Sequence, residues 1–376
     1  MNTTSETSTD IIHSWGVYVP DEAAAAIAEV LKSSWLNTGA KERQLRETFC
    51  ATFGSPYALA TANGTASLRA ALAMLKVGPG DEVISTPMTF IATNTSILEQ
   101  GATPVFADIR YDDFNIDPDS VRTRITERTK AIICVHYAGN PCDMDALWAI
   151  GREYNLPVIE DSAHALGSKY QGHYIGARGD LACFSFQVVK IITSGDGGMI
   201  TTTKPEYYAA LKKYLWYGVD REGRTPGVDA IAGDVDVLGF KYNMNDITAT
   251  LALVGLQHIE VPLARRRVIG ERYRRELADL ERVRLVAYYA DRTPNYQIFP
   301  IHVDDRASFA EWMWSRGIQV VANNRRSDRY SIMGGLRDLP VTERADRDAI
   351  LLPIHFQLSD ADQTRVIDAV RQYDRS

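Results

Sequence analysis

The sequence predicts an α/β protein, with a large domain that has a mainly parallel central sheet flanked by helices and with a small C-terminal α/β domain. Short apolar stretches such as "TPVFAD", "AIICVHY" and "LPVIED" alternate with helical patterns such as "TASLRAALAMLK" between residues 58 and 199. Such alternation is typical of parallel sheets that are covered by helices on both faces. Beyond residue 275, the order strand–helix–strand–helix predicts the smaller domain, through "YQIFPIHV", "FAEWMWSRGIQVV" and "TRVIDAVRQY".

The limits of the domains follow from these changes of pattern. We predict a flexible N-terminal tail over residues 1–15, a large domain over residues 16–260 and a small domain over residues 261–376. The tail starts with "MNTTSETSTD", which is polar and lacks the apolar core of a signal peptide. Near the domain boundary, residues 249–275 have the pattern of a long helix that Pro262 bends or interrupts.

Charge and cysteine content narrow the class of protein. The 376 residues include 41 basic and 48 acidic side chains, and the net charge of −7 opposes binding to nucleic acid or to an anionic membrane. No apolar run approaches the roughly 20 residues that a membrane span needs. The cysteines form no CxxC pair and no zinc-type spacing, so we predict buried thiols, no metal site and a reducing, cytoplasmic location.

Polar residues at predicted strand ends are the first candidates for a site. Ligands of open α/β sheets bind beyond the carboxyl ends of the strands, and no GxGxxG follows the first strand to indicate a nicotinamide or flavin. Asp161 ends the strand in "LPVIED", and Lys190 follows "CFSF" in an apolar run typical of a buried strand. Taken singly, the aspartate is commonly a helix N-cap, and the lysine commonly extends its amine into water.

Taken together, Asp161 and Lys190 indicate a particular chemistry. A lysine amine in a dry pocket has a lowered pKa and can form a Schiff base with an aldehyde. A carboxylate opposite that amine is what a pyridinium nitrogen requires. The pair therefore indicates pyridoxal phosphate as the cofactor. His164, three residues after Asp161, is either a turn residue or a ligand contact.

A phosphate site is predicted in "ATANGTASLRAALAML". A turn at Asn63–Gly64 precedes a helix that starts near Thr65. Backbone N–H groups at a helix N-terminus bind phosphate, and Gly64 permits close approach. The alternative is an ordinary Asn-Gly turn with Thr65 as N-cap. Ser185 could add a hydroxyl group, and Phe90 could stack on the pyridine ring or be an ordinary core aromatic.

The motifs of the chain arrive in the order of a known family. They include "WLNTG", "ANGTASL", "GPGDEVISTPMTFIATN", "TKAIICVHYAGNPCDMD", "VIEDSAHALGSKYQGHYIG", "FSFQVVKIITSGDGG" and "GFKYNMNDITAT". From residue 33 to residue 362 the chain resembles the DegT/DnrJ/EryC1/StrS sugar aminotransferases. That resemblance implies the fold-type I (aspartate aminotransferase-like) pyridoxal-phosphate transferase fold.

The resemblance also implies roles for individual positions. Lys190 matches the family lysine that binds the cofactor and later transfers protons, and Asp161 matches the carboxylate on the pyridine nitrogen. The other matched cofactor positions are the phosphate-binding Gly64, Thr65, Ala66 and Ser185, the ring-stacking Phe90, and His164 beside the cofactor. Either Lys241 or Asn243 is implied to reach the cofactor phosphate of the neighbouring subunit. The implied assembly is a homodimer with shared active sites.

The chain departs from the family pattern in two places. Gln187 stands where the family often has histidine. The family's C-terminal histidine motif is replaced by "VVANNRRSDRY". Substrate-binding candidates are therefore Gln187, Asn323, Asn324, Arg325 and Arg326. The last four could bind sugar hydroxyls or a diphosphate, for which a planar guanidinium group is suited, or could form a basic surface loop.

The expected reaction is a two-half (ping-pong) transamination. The resemblance implies L-glutamate as amino donor, pyridoxamine phosphate as the carrier form, and a keto group of a nucleotide-linked sugar as acceptor. A dTDP-linked 4-keto-6-deoxy sugar is the preferred acceptor. One alternative is a sugar dehydratase of the same fold, in which histidine replaces the lysine; Lys190 opposes it. Another is a catalytically silent regulator, which the intact Lys190 and Asp161 oppose.

Overall fold

The computed structural model describes residues 11–221, 234–322 and 325–376. In these residues the chain forms fourteen strands and twelve α-helices. The strands are β1 Tyr57–Thr61, β2 Glu82–Ser85, β3 Thr103–Phe106, β4 Thr129–Val135, β5 Val158–Asp161, β6 Lys169–Tyr170, β7 His173–Tyr174, β8 Leu181–Ser185, β9 Gly198–Thr202, β10 Val283–Leu285, β11 Arg292–Thr293, β12 Phe299–Val303, β13 Val321–Ala322 and β14 Ala349–Leu352. The helices are α1 Ala23–Ser33, α2 Ala40–Phe53, α3 Gly64–Met74, α4 Ala92–Leu98, α5 Pro118–Arg124, α6 Met144–Tyr154, α7 Pro205–Tyr214, α8 Asp246–Gln257, α9 Glu260–Glu276, α10 Arg306–Trp314, α11 Pro340–Asp348 and α12 Asp360–Arg375.

A seven-stranded sheet of order β1-β9-β8-β5-β4-β2-β3 forms the centre of the large domain. The neighbours β8-β5-β4-β2-β3 pair in parallel, whereas β9 runs antiparallel to both β1 and β8. The mainly parallel sheet predicted from the sequence is confirmed. Its parallel strands end together at one edge, which is the edge where ligands bind in such sheets.

Helices cover both faces of this sheet, because successive residues of its strands point to opposite sides. In β4, Ala131 and Ile133 belong to one apolar cluster, which includes side chains of α3 and α7. Ile132 and Cys134 belong to the opposite cluster, which includes side chains of α2, α6 and α8. All four are fully buried, which accounts for the nearly continuous apolar run of this strand.

A four-stranded antiparallel sheet of order β10-β12-β14-β13 forms the core of the C-terminal region. It packs with apolar side chains of α9, α10 and α12. Strand β11 pairs instead with β6, which joins the C-terminal region to the segment after β5. The limits predicted for the three parts of the chain stay a prediction.

The predicted long helix over residues 249–275 is two helices. Helix α8 ends at Gln257, α9 begins at Glu260, and the two are bent by 57° at the break. Pro262 lies in the first turn of α9, where its missing N–H group is tolerated, so the break precedes the proline. Within the described ranges no single helix is long and apolar enough to cross a membrane; α8 and α9 reach that length and composition only as this bent pair.

Asp246 joins two of the helices that cover the sheet. It lies at the start of α8, yet its carboxylate accepts hydrogen bonds from the backbone N–H groups of Gly39 (2.8 Å) and Glu42 (3.0 Å) at the start of α2. Its side chain is buried. A carboxylate at a helix N-terminus satisfies donors that have no partner within the helix and complements the helix dipole.

We predict that Asp246→Ala lowers the free energy of unfolding by about 2 kcal/mol, because it leaves the first N–H groups of α2 without acceptors. Urea unfolding followed by circular dichroism measures the change. Asp368→Ala, on the exposed face of α12, is the control and should leave the urea midpoint unchanged. Equal midpoints for the two variants would show that Asp246 does not stabilise this contact.

Candidate active site

The site lies beyond the carboxyl ends of the neighbouring strands β5 and β8. Asp161 is the last residue of β5 and pairs with Cys183 of β8. Strand β8 ends at Ser185, so Lys190 lies in the following loop rather than in the predicted buried strand. The reason is that β8 pairs with β9 as far as Ser185 and Gly198, and the chain between them closes on itself through Phe186 N–H, which donates to Gly197 O (2.8 Å).

A tight turn fixes the position of Lys190. Its backbone N–H donates to Gln187 O at 2.9 Å. The Gln187 side-chain Oε1 accepts from Val189 N–H at 3.1 Å, and the Gln187 N–H donates to Ser185 Oγ at 3.3 Å. Gln187 therefore has a structural role in the turn that carries Lys190, and its contact with substrate stays a prediction.

The electrostatic setting of Lys190 favours a neutral amine. Burial lowers the pKa of the Lys190 amine to about 8. The negative charge of Asp161 has the opposite, smaller effect and raises this pKa. Burial and the charge of Lys190 also hold the pKa of His164 well below its usual value. Among the described residues, His164 Nδ1 is buried and has no hydrogen-bond partner. A neutral imidazole and an amine that is easily deprotonated thus lie in one partly buried site.

Asp161 is oriented by a residue that the sequence analysis did not identify. Thr93 Oγ1 donates to Asp161 Oδ2 at 2.7 Å, and Ala163 N–H donates to Oδ1 at 3.2 Å. Burial raises the pKa of the Asp161 carboxyl, while these two hydrogen bonds and the charge of Lys190 lower it. Thr93 in turn shares a hydrogen bond with Thr89 (2.8 Å). The sequence signal that could have indicated Thr93 is the spacing of the two threonines, which follow β2 and are four residues apart.

The predicted phosphate cradle lies against Ser185. The N-cap of α3 is Asn63, not the alternative Thr65, and its Oδ1 accepts from Ala66 N–H at 2.8 Å. A Cβ atom added to Gly64 would lie 3.0 Å from Ser185 Cβ, so a larger residue would press against the end of β8 and need that strand end to shift by a few tenths of an ångström. Because Ala66 N–H is occupied by the cap, Gly64 and Thr65 are the backbone donors that remain for an anion.

Phe90 is not an ordinary core aromatic. It follows the carboxyl end of β2, and 61% of its surface is exposed. Exposure of a large aromatic side chain beside a ligand-binding edge leaves its ring available for a contact with a ligand or a partner. Its stacking on a cofactor ring stays a prediction.

Lys241 and Asn243 lie together near the start of α3. Ala62 N–H donates to Tyr242 O (2.6 Å), just ahead of Gly64. Lys241 Nζ donates to Asn243 Oδ1 at 2.9 Å, and Asn243 Nδ2 donates to Thr38 Oγ1. Both candidates for the phosphate contact thus belong to one hydrogen-bonded group.

The four C-terminal substrate candidates differ in their surroundings. Asn323 and Asn324 lie outside the described residues. Arg326 is fully buried and donates from Nε and Nη2 to both carboxylate oxygens of Asp328 (2.8 and 2.7 Å) and from Nη1 to Glu343 (2.6 Å). Its guanidinium is engaged in this ion-paired cluster, so its role is structural, contrary to the sequence-based expectation. Arg325 is exposed and remains a candidate.

The fold is that of a fold-type I transferase. The chain belongs to the DegT/DnrJ/EryC1/StrS aminotransferase family, whose sequence model matches residues 18–371. The resemblance inferred from the motifs and the fold class are therefore confirmed, and the protein is an aminotransferase.

Solved structures agree over nearly the whole chain. The aminotransferase TlmJ from Streptoalloteichus hindustanus is 30% identical, with a TM-score of 0.90, over 96% of this chain and 98% of TlmJ. The sugar aminotransferase CalS13 from Micromonospora echinospora is 27% identical, with a TM-score of 0.92, over 96% of this chain and 100% of CalS13. Spr1654 from Streptococcus pneumoniae, solved in a PLP form, is 28% identical, with a TM-score of 0.90, over 97% of this chain and 99% of Spr1654.

We predict that Lys190 of the cofactor-free protein reacts with an amine reagent with a midpoint near pH 8, because burial lowers its pKa to about 8. In Asp161→Asn the midpoint should fall further, since the removed negative charge favours the ammonium form. Quantifying the modified Lys190 peptide by mass across a pH series measures this midpoint.

Asp368→Asn is the control for that experiment. It removes a carboxylate on the exposed face of α12, which does not contact the site, so the Lys190 midpoint should stay near that of the unaltered protein. A midpoint that moves upward in Asp161→Asn would contradict the described electrostatic coupling.

Proposed function

We propose that the protein is a pyridoxal-phosphate-dependent aminotransferase that moves an amino group from L-glutamate to a keto group of a nucleotide-linked sugar. The reaction runs in two halves, with pyridoxamine phosphate as the carrier form between them. A dTDP-linked 4-keto-6-deoxy sugar is the acceptor we place first. The observation that carries the proposal is the Lys190 amine of lowered pKa beside the buried Asp161 carboxylate.

The residues present fit the cofactor. Asp161 offers a buried carboxylate for a pyridinium nitrogen, and the start of α3 with Ser185 offers N–H groups and a hydroxyl for a phosphate. The buried, unpartnered Nδ1 of His164 is a polar atom that a bound ligand would satisfy. Spr1654, a relative of the same fold, is described in PLP and PMP forms.

When bound, pyridoxal phosphate supplies an aldehyde for the donor's amine and a ring that accepts the electrons released at the donor's Cα. The work of this chain is to move protons and to hold charges. Lys190 Nζ, neutral above its lowered pKa, would take up the proton released at the donor's Cα and deliver it to C4′ of the cofactor within the first half, and the second half would run these transfers in reverse. Asp161, whose carboxylate accepts a hydrogen bond from Thr93, would hold the proton on the ring nitrogen. The buried Ile191 and Ile192 exclude water around the turn.

The substrate class rests on the relatives and on the exposed basic residue of the C-terminal loop. CalS13 is described as a sugar aminotransferase. Arg325 is exposed, with its guanidinium over the Tyr330 ring at 5.3 Å, and it presents donors suited to a diphosphate. The dehydratase alternative requires histidine at the position of Lys190, so this chain does not favour it.

We expect the purified protein, after incubation with pyridoxal phosphate, to show an absorbance band near the visible edge that Lys190→Ala abolishes. Lys204→Ala is the matched control. Lys204 lies in the segment after β9, and its amine is ion-paired to Asp180 (3.1 Å). A protein without the band, even at excess cofactor, would contradict the proposed cofactor.

The substrate is tested by incubating the protein with glutamate and a panel of dTDP-, UDP- and GDP-linked keto sugars. Mass spectrometry should detect the replacement of one keto oxygen by an amine on one member of the panel, with stoichiometric 2-oxoglutarate. If conversion requires an amino donor other than glutamate, the proposed donor is wrong and the proposed sugar acceptor stands. Absence of product with every sugar would overturn the proposed substrate class while leaving the cofactor proposal intact.

We also propose a homodimer whose subunits share active sites. Several large apolar side chains are exposed in the single chain, including Trp35 (56%), Phe90 (61%) and Leu238 (81%). Large apolar side chains left exposed in a single chain are candidates for burial by a second subunit. Lys241 is the residue we place first for the contact with the partner's cofactor phosphate, because its ammonium group carries three donors and only one is directed at Asn243, whereas the Asn243 amide donates to Thr38.

Subunit mixing tests this arrangement. Lys190→Ala and Lys241→Ala should each be nearly inactive alone, and refolding them together should restore about a quarter of the activity. Half of the dimers are then mixed, and each mixed dimer has one site with both lysines. Repeating the experiment with Asn243→Ala separates the two candidates. If Lys241 served its own subunit's site, mixing would restore nothing.

A further inference from the structure

The segment Asn295–Gln297, which leads into β12 of the C-terminal region, contacts both loops that carry the candidate catalytic residues. Asn295 Nδ2 donates to His164 O and to Leu166 O, both at 2.8 Å. Asn295 Oδ1 accepts from Gln297 N–H at 2.9 Å, which holds the segment in one conformation. Asn295 is 3% exposed, so water does not compete for these hydrogen bonds.

Gln297 contacts the turn that carries Lys190. Its Nε2 donates to Val189 O at 2.8 Å, across 108 residues of sequence. Val189 directly precedes Lys190, and its N–H is bonded to the Gln187 side chain. The peptide groups on both sides of Val189 are therefore held by amide side chains, one from the turn itself and one from the C-terminal region.

A buried arginine anchors the segment from the other side. Arg266 Nη1 donates to Tyr296 O (3.0 Å), Gln297 O (2.8 Å) and Ile354 O (3.0 Å). Arg266 is 4% exposed. Three carbonyl groups around one buried guanidinium nitrogen give the segment little freedom to shift.

We propose that Gln297 and Asn295 are positioning residues that hold the turn of Lys190 and the loop of His164 in a fixed relation. Without the Gln297 bond, the Val189 carbonyl loses its buried donor and the turn gains freedom to open. The amine of Lys190 would then reach water and lose its alignment with the groups it serves. The inference rests on Lys190 being the lysine of the proposed reaction.

The test compares two buried glutamines that make the same kind of contact. Gln297→Met removes the donor to Val189 O and keeps the volume of the side chain. Gln363→Met is the matched control, because Gln363 is also fully buried and donates through Nε2 to one carbonyl, Ile269 O, at 2.8 Å. Each variant removes one side-chain hydrogen bond to a backbone carbonyl of a distant segment, so each should lower the thermal stability.

Two readouts separate positioning from stability. In the cofactor-free protein, the pH midpoint for modification of Lys190 should move from near 8 toward the ordinary lysine range in Gln297→Met and stay unchanged in Gln363→Met. With cofactor bound, kcat should fall roughly ten- to a hundredfold in Gln297→Met, because small misplacements of reacting groups carry such costs. KM for the amino donor should change little.

Each outcome bears on the inference. An unchanged Lys190 midpoint together with equal kcat values for the two variants would overturn it. A midpoint that moves equally in both variants would assign the effect to general loosening and would also overturn it. Lys190→Ala separates a failure of this inference from a failure of the proposed function. If Lys190→Ala still forms the cofactor absorbance band, the function proposal is wrong. The pH midpoint of Lys190 in cofactor-free Gln297→Met still reports on the turn in that case.

Discussion

The candidate site depends on the burial of the Lys190 amine beside the Asp161 carboxylate. Burial alone favours the neutral form of Lys190, and the charge of Asp161 limits the effect, which leaves its pKa at about 8. Burial also raises the pKa of Asp161, and the hydrogen bond from Thr93 opposes that change. An amine that exchanges its proton near neutral pH is suited to general acid–base work. The surrounding elements serve to keep both groups dry and aligned.

The sheet supplies that alignment because β5 and β8 are adjacent and parallel. Their shared edge places Asp161 and the start of the Lys190 loop side by side, and the antiparallel β9 returns the chain at Ser185. The C-terminal region then closes the arrangement through Asn295 and Gln297. A site built in this way responds to changes in a segment that touches neither the amine nor the carboxylate.

Much of the fold was predictable from the sequence, because the period of apolar residues reports which faces are buried. The alternation of strands and helices, the strand-end Asp161 and the helix that begins at Gly64 all follow from local pattern. The break before Pro262 and the end of β8 at Ser185 were not predicted, since both depend on packing and pairing with other elements. Arg326 was misinterpreted, because sequence alone does not reveal that its partners Asp328 and Glu343 enclose it.

The sequence by itself determined the class of fold and the family, because those rest on periodicity and on the order of short motifs, and it predicted Lys190 and Asp161 as the candidate catalytic pair. Only the tertiary structure decided which donors remain available at the start of α3, which arginine is exposed, and which residues hold the Lys190 turn. Gln297 and Val189 are 108 residues apart, and no local pattern marks such a pair. The reason is physical: burial and hydrogen-bond partners belong to the folded chain, in which distant segments remove each other from water.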